Sequence, residues 1–408
     1  MSGFSTRAVR AASRVPRVAQ EPTAVPIYQT ATFATADADE LALVTTGEQH
    51  GYSYSRIGNP TVEALADAIA DLESAEAGFA LASGMAAIYA TMLSLVSAGD
   101  RIVSTRAIYG TTGAQFRNVL SRLGVSTEFV DITDHAAVEV ALAAAPTRVL
   151  YAETISNPTA LVADHVALGD LARRHGAAYV VDNTFASPYA CRPLELGADV
   201  VVESATKYLG GHSDVIAGVV AGSRERIAAI RSVQVDTGAT LAPFSAFLVL
   251  RGIATLAIRV ERHSATARAL AAWLERQEGV LRVNHPALES HPQYALASRQ
   301  LDTGGGMLSF ELAGGPEVGP AFIDGLSIAE LTASLGSVHT MVVHPPTTSH
   351  RQLSEDERRA AGIGPGLLRV SVGLEDLDDL IGDFERGLAA ARAVAVRQDT
   401  EPVPAPTA

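Results

Sequence analysis

A chain of 408 residues exceeds one ordinary hydrophobic core, and 48% apolar with 19% charged residues is the composition of a packed globular protein, not a disordered one. A formal net charge of −14 argues against a partner held by its phosphate backbone, and the lone Cys191 excludes an internal disulfide or a cysteine-built metal cluster. No apolar run is long enough to span a bilayer, and the first twenty residues, with Arg7, Arg10, Arg14 and Arg17, lack the apolar stretch of a secretory signal. A cytoplasmic chain with neither a nucleic-acid nor a membrane partner is therefore expected.

Residues 1–60 read as an N-terminal arm that reaches a neighbouring subunit. Pro16, Pro22 and Pro26 interrupt any helix, so 1–50 is expected to be extended. GYSYSRIGNPT (51–61) then forms a polar loop ending in a helix start, with Asn59 as cap and Pro60 at the first helical position. Beyond it, Val62, Leu65, Ile69 and Leu72 recur at helical spacing.

From there to about residue 225, short apolar runs alternate with amphipathic segments. Strands are expected at 78–82, 101–105, 126–130, 148–153, 178–182, 199–203 and 215–221, with helices such as 136–144 and 166–174 between them. Near-continuous apolar strands separated by helices imply a mostly parallel sheet covered on both faces, in an α/β protein. Ligands of such sheets sit beyond the carboxyl ends of the strands. The polar residues fall there: Ser83-Gly84-Met85, Glu153, Asn157, Asp182-Asn183-Thr184 and Ser204-Ala205-Thr206-Lys207. Residues 61–250 are thus expected to form a large binding domain. A long helix or helix pair at 244–277 leads to a smaller α+β domain over 251–398, with strands at 306–312 and 367–372 and a last helix at 376–396. The tail 399–408 reads as disordered.

The chain holds 30 arginines and one lysine, Lys207. A guanidinium stays protonated, whereas a desolvated amine can lose its proton and act as nucleophile or Schiff-base partner. A pyridoxal phosphate site needs such a lysine, an acid against the pyridinium nitrogen, a phosphate cradle and a stacking group. Lys207 follows a strand and precedes Gly210-Gly211. Asp182 closes the strand AAYVVD, where its carboxylate can pair with a ring nitrogen. Ser83-Gly84-Met85 opens an apolar helix whose free amides suit a phosphate, and Ser204 and Thr206 add hydroxyls beside the lysine. Each of these has an ordinary structural use when taken singly.

Taken together with YSYSRIGNPT, ASGMAA, IYGTT, VVDNTF, RPLELGADVVVESATKYLGGHSD and LLRVSVGLED, they give a chain that resembles the Cys/Met-metabolism pyridoxal phosphate enzymes from about residue 23 to 388. The resemblance implies fold type I of the pyridoxal-phosphate-dependent transferases (aspartate aminotransferase-like). It implies that Lys207 carries the cofactor and shuttles protons, and that Tyr109 stacks on the ring and acts as acid or base. Tyr54 and Arg56 would bind the phosphate of a neighbouring subunit's cofactor, in a homotetramer built from catalytic dimers. Ser83, Gly84, Met85, Ser204 and Thr206 would form the phosphate cradle. Asp182 would take the ring nitrogen and Asn157 the phenolic side. Arg369, with Ser334 near it, would clamp the substrate carboxylate, and Tyr54 would also face the substrate. No metal role falls to His339, His344 or His350, and His212 and Asp214 are expected to steady the loop after the lysine.

The same resemblance narrows the substrate. Members that handle cystathionine generally carry an Arg where this chain has Ala114, a Glu where it has Ala333, and a polar or basic residue at Ile57. A carboxylate entering without those partners would be desolvated and unpaired. The expectation is γ-elimination on L-methionine, giving methanethiol, 2-oxobutanoate and ammonia. Against it, methionine γ-lyases typically have a cysteine where Thr111 stands. The alternatives are an acylhomoserine sulfhydrylase, which ATLAPFSAF and TTSHRQLSEDE somewhat resemble, a cystathionine γ-lyase or γ-synthase, and, more distantly, a non-catalytic cofactor-binding regulator.

Overall fold

Residues 20, 22–351 and 354–400 are described by the structure, a computed structural model. The four arginines of the first twenty residues, Pro16, Gln352 and Leu353, and the tail from 401 onward lie outside the described residues. Two sheets organise the chain. The first contains β1 (Ala77–Leu81), β2 (Arg101–Thr105), β3 (Ser126–Val130), β4 (Val149–Glu153), β5 (Ala178–Asp182), β6 (Val200–Glu203) and β7 (Gly218–Gly222). Their order is β1-β7-β6-β5-β4-β2-β3. β7 runs antiparallel to both its neighbours, and every other pair is parallel. Strands β4, β5, β6 and β7 are buried on both faces except at Asp182, so their valine-rich, unbroken apolar runs match the positions they fill.

All seven strands lie where the apolar runs place them, with one shift. The last was expected from Val215 and begins at Gly218. Thr206 Oγ donates to Ala217 O at 3.2 Å and accepts from Ala217 N at 3.1 Å, so a side chain occupies the ladder positions there. Gly218 also passes so close to Ser83 that a Cβ would fall 2.1 Å from its carbonyl oxygen.

Helix boundaries follow local chemistry. Asn59 Oδ1 accepts from Thr61 N at 3.0 Å and opens Pro60–Leu72, while Asp134 and Asp164 cap His135–Ala144 and His165–Arg174. The region expected to be wholly extended before residue 50 contains the helix Ala38–Thr46. The prolines all precede it; Asp37 accepts from Glu40 N at 2.9 Å, and Gly47 ends it at φ +78°.

The second sheet, β8 (Val280–Asn284), β9 (Met307–Leu312), β10 (Glu330–Leu331), β11 (Met341–Val343) and β12 (Leu367–Ser371), has the order β10-β11-β12-β9-β8. Only β9 and β12 were expected. β10 and β11 span two and three residues, too few to show a period. The helices Pro243–Ile253 and Leu256–Leu274 meet at 61° between the two sheets' segments of chain. The final helix, Leu377–Thr400, runs into residues 399 and 400 of the expected tail.

Packing ties the sheets together. One buried cluster joins Leu65, Ile69, Tyr208 and Val219 of the first half to Val260, Ala297, Met307 and Leu335 of the second. Beneath the second sheet, Phe310, Phe322 and Phe384 pack with ring centroids 5.3–6.2 Å apart. Among the described residues, no single helix is long and apolar enough to cross a membrane.

Candidate active site

The carboxyl ends of β4, β5 and β6 place Glu153, Asp182 and the Ser204–Lys207 turn side by side, since Glu153 pairs with Asp182 in register. Lys207 is held through its main chain, with Lys207 N donating to Ser204 O at 3.0 Å and Gly211 N to Lys207 O at 2.7 Å. Gly211 sits at φ +76° against Arg259, leaving no space for a Cβ. The Lys207 ammonium donates to Ser334 Oγ at 2.7 Å. Burial, aided by the nearby Arg369 charge, lowers its pKa to about 8, so a neutral amine is accessible near physiological pH.

Arg369, on β12 and 6% exposed, reaches the same point from the other sheet. Its Nη1 donates to Asn157 Oδ1 at 3.2 Å and its Nη2 to Ser334 O at 2.8 Å, while Nε is buried without a partner. Burial pushes this guanidinium down to about 10. Among the described residues no carboxylate forms an ion pair with it, so it is a desolvated cation with a donor to spare. Ser334 carries φ +109°, a left-handed backbone rare for a residue with a Cβ.

Asp182 accepts from Thr184 N at 3.0 Å and from Tyr151 OH at 3.3 Å, and burial raises its pKa above the ordinary carboxylate value. Glu153 accepts from Tyr109 N at 2.6 Å and Asn157 N at 3.1 Å. Burial and the Asp182 charge push it up to about 8.

Ser83 caps the helix Gly84–Leu95, accepting from Ala86 N at 3.1 Å. Gly84 lies against Ser204, where a Cβ would fall 2.7 Å from the serine Cβ. A helix start and the residues before the lysine therefore meet at a spot only glycine fits. The Met85 sulfur is 3.9 Å from Thr112 Oγ1, and Ser204 N donates to Thr184 Oγ1 at 2.8 Å. The Thr206 hydroxyl is engaged with Ala217, so its proton is not free for an anion.

Other expected residues sit at the margins. The Tyr109 ring is 41% and Tyr54 42% exposed. Tyr54 stacks under Arg56 at 5.4 Å, and Arg56 Nη1 donates to Val235 O at 2.6 Å, which ties the arginine to the helix Arg224–Thr237. Ala114 lines a cavity of about 210 Å³ with Asn157 and His350. Ala333 and Ser334 line another, of about 570 Å³, with Thr206 and Asp214. His212 Nδ1 bonds Gly210 O at 2.8 Å in the loop after the lysine, and His344 Nε2 bonds Pro365 O at 2.8 Å.

Sequence reasoning left several residues without a role. Glu153 was noted only as a polar strand end, although an acid four residues before Asn157 can cap that loop. His350, 3% exposed, lies near Arg369, whose charge helps burial to push it down to about 4. The acids Glu73 and Glu203 are both buried, and a glutamate closing the run VVVE directly before Ser204 was the available signal.

The profile of the family described as Cys/Met metabolism PLP-dependent enzyme matches residues 5–389. The chain is 44% identical over 393 residues to an L-methionine gamma-lyase of Pseudomonas putida, covering 96% of this chain and 98% of that one. It is 43% identical over 389 residues to an O-succinylhomoserine sulfhydrylase of Pseudomonas aeruginosa, covering 95% and 96%. Among solved structures, cystathionine gamma synthase from Xanthomonas oryzae pv. oryzae, in complex with aminoacrylate and cysteine, superposes with a TM-score of 0.86 at 37% identity, over 90% of this chain and 93% of that chain. The fold is that of the fold type I pyridoxal phosphate enzymes.

Proposed function

The chain belongs to the Cys/Met metabolism PLP-dependent enzymes, a carbon–sulfur lyase family, and from this premise we propose that it cleaves L-methionine by γ-elimination. With one water, methionine gives methanethiol, 2-oxobutanoate and ammonia, a balance that needs no redox partner. The residues fit pyridoxal phosphate: the only lysine is desolvated, Asp182 closes the strand next to the one that leads into it, and Gly84 meets Ser204 where a Cβ would intrude. The cofactor, when bound, supplies an electron sink for the electron pair left on the substrate as its protons are removed.

The chain's own groups divide the remaining work. Asp182 would pair with the ring nitrogen, and the amides after Ser83, with Ser204, would hold the phosphate. Arg369 binds the substrate α-carboxylate, satisfying its spare Nε–H, and Ser334 orients both the arginine and Lys207. Lys207, an amine near neutrality, takes protons from Cα and Cβ. As the Cγ–S bond breaks, Tyr109 hands a proton to the departing sulfur. Water then releases the nitrogen as ammonia.

The observation that carries the methionine reading is the lining around Ala114. That side chain offers no partner to a distal carboxylate, and the two arginines lining the same cavity are engaged elsewhere: Arg117 lies over the Phe129 ring at 4.3 Å and Arg106 Nη2 donates to Phe129 O at 3.3 Å. A second reading, acylhomoserine sulfhydrylation, is favoured by Thr111 in place of the γ-lyase cysteine and by the near-equal identity to the sulfhydrylase. Release of 2-oxobutanoate is measured from L-methionine, from cystathionine, and from acylated homoserine with sulfide. Rapid release from methionine alone is expected. Homocysteine formation with methionine inert would assign the sulfhydrylase, and preference for cystathionine would overturn the reading of Ala114 and Ala333.

For the assembly, we infer a cytoplasmic homotetramer of catalytic dimers, in which the arm, over its described residues 22–60, brings Tyr54 and Arg56 to the partner's cofactor phosphate; the rest of the expected arm lies outside the described residues. The half-exposed Tyr54, with Arg56 over its ring, supports this. Residues 61–250 would carry the cofactor and 251–398 the substrate carboxylate.

A further inference from the structure

We propose that Glu153 is the positioning residue of this active site, the single side chain that sets Tyr109 and Asn157 at one height above β4 and β5. The two come from separate segments: Tyr109 precedes the helix Gly110–Ala114, and Asn157 lies in the turn after β4. No strand pairing joins them. What joins them is one buried carboxyl, 5% exposed, with Tyr109 N on Oε1 at 2.6 Å and Asn157 N on Oε2 at 3.1 Å. Tyr109 has no side-chain cap of its own, so this bond is what ties down the start of its helix.

The connection extends from there to the lysine. The Asn157 side chain accepts from Arg369 Nη1, Arg369 Nη2 donates to Ser334 O, and Ser334 Oγ accepts from Lys207 Nζ. Five hydrogen bonds therefore run Tyr109–Glu153–Asn157–Arg369–Ser334–Lys207, linking the ring-stacking group, the carboxylate clamp and the amine. Glu153 is the only member that touches two segments through main-chain amides. It consequently fixes the backbone of two segments at once, whereas Arg369 holds one main-chain carbonyl, that of Ser334. A displacement of about an ångström at such groups is enough to weaken catalysis strongly.

The argument for a carboxyl at this place is geometric. Glutamine has the same size, but its amide nitrogen is a donor and cannot accept from a main-chain N–H. One of the two segments would lose its anchor and face a donor in its place. Aspartate keeps the carboxyl and is one methylene short, so it cannot span both amides. This inference rests on the cofactor lying beside Asp182, and the test separates the two ideas.

Cofactor-free protein of the wild type, Glu153→Gln and Glu153→Asp is titrated with pyridoxal phosphate, followed by the absorbance of the bound cofactor. Thermal unfolding of the cofactor-free proteins and kcat and KM on the substrate turned over by the wild type are measured in parallel. Expected are a roughly ten- to hundredfold loss of cofactor affinity and a loss of similar size in kcat/KM for both variants, the scale of a buried main-chain amide left without its acceptor. The midpoint of unfolding without cofactor should change little by comparison. Wild-type affinity and kcat in either variant would overturn the proposal, as would a lowered unfolding midpoint with unchanged affinity and KM. Should Glu153→Gln not fold, Glu153→Asp decides alone. If the wild type itself fails to bind pyridoxal phosphate, the cofactor reading fails instead.

Discussion

Glu73 and Glu203 place two carboxyls in the interior, 0% and 3% exposed, with Asn183 Nδ2 donating to Glu73 Oε1 at 2.8 Å. Burial raises both, Glu73 to about 7, and the Glu73 carboxyl makes Glu203 harder still to ionise. An unfolded glutamate titrates near 4.5, so between roughly pH 4.5 and 7 the unfolded chain sheds a proton that the folded protein keeps. The contribution of Glu73 is therefore fully present below pH 4.5 and is lost as pH rises to about 7. Glu73→Gln keeps the acceptor for Asn183 and removes the titration. Its unfolding midpoint relative to the wild type should rise steadily across that window and level off above it. A difference independent of pH would mean that the pair does not titrate on folding. Acids of this kind escape sequence reading because Glu73 and Glu203 are 130 positions apart. Lys207 and Arg369 were legible for the opposite reason: one is unique in the chain and the other sits in a distinctive run.

At the scale of elements, the helix Gly84–Leu95 and strand β6 meet at Gly84 and Ser204, which lie 2.7 Å apart from Cβ to Cβ once a methyl is added. An alanine there must push the helix start away from the turn that carries Lys207. Overpacking of this kind costs about 1–3 kcal/mol. Gly84→Ala should lower the unfolding midpoint by a few degrees and also weaken pyridoxal phosphate binding, because the displaced amides are those proposed to hold the phosphate. Thermal unfolding and a cofactor titration check this together; unchanged values in both would show that Ser204 yields without cost. The strands of the first sheet could be placed from their apolar runs because both faces are covered. The three short or irregular strands β8, β10 and β11 could not, since a bulge between Val280 and Arg282 breaks the period in one and the other two are too brief.

Across the whole molecule, the buried cluster from Leu65 to Leu335 carries Lys207's neighbour Tyr208 in its interior, and β12 delivers Arg369 to the same place from the second sheet. The proposed exchange of Tyr54 and Arg56 between subunits can be tested by complementation. Lys207→Ala and Arg56→Ala proteins are each expected to be inactive or nearly so. Mixing them under conditions that exchange subunits restores one intact site per hybrid dimer, since Lys207 comes from one chain and Arg56 from the other. Recovery approaching a quarter of wild-type activity in an equal mixture is the expected order of magnitude for random pairing. No recovery, with hybrids present, would place both residues on their own chain's cofactor.

The amino-acid sequence by itself determined the mostly parallel sheet, the cap at Asn59 and the family, and it singled out Lys207. These rest on local pattern: apolar runs, cap chemistry, and motifs that lie within a few residues of each other. Only the tertiary structure decided that Glu153 grips Tyr109 and Asn157 together, that Thr206 spends its hydroxyl on Ala217, and that Arg369 stands desolvated with one donor free. Hydrogen-bond partners and burial are properties of chain segments brought together from distant positions. A linear reading names the groups, but the free energy of each depends on which neighbours replace water around it.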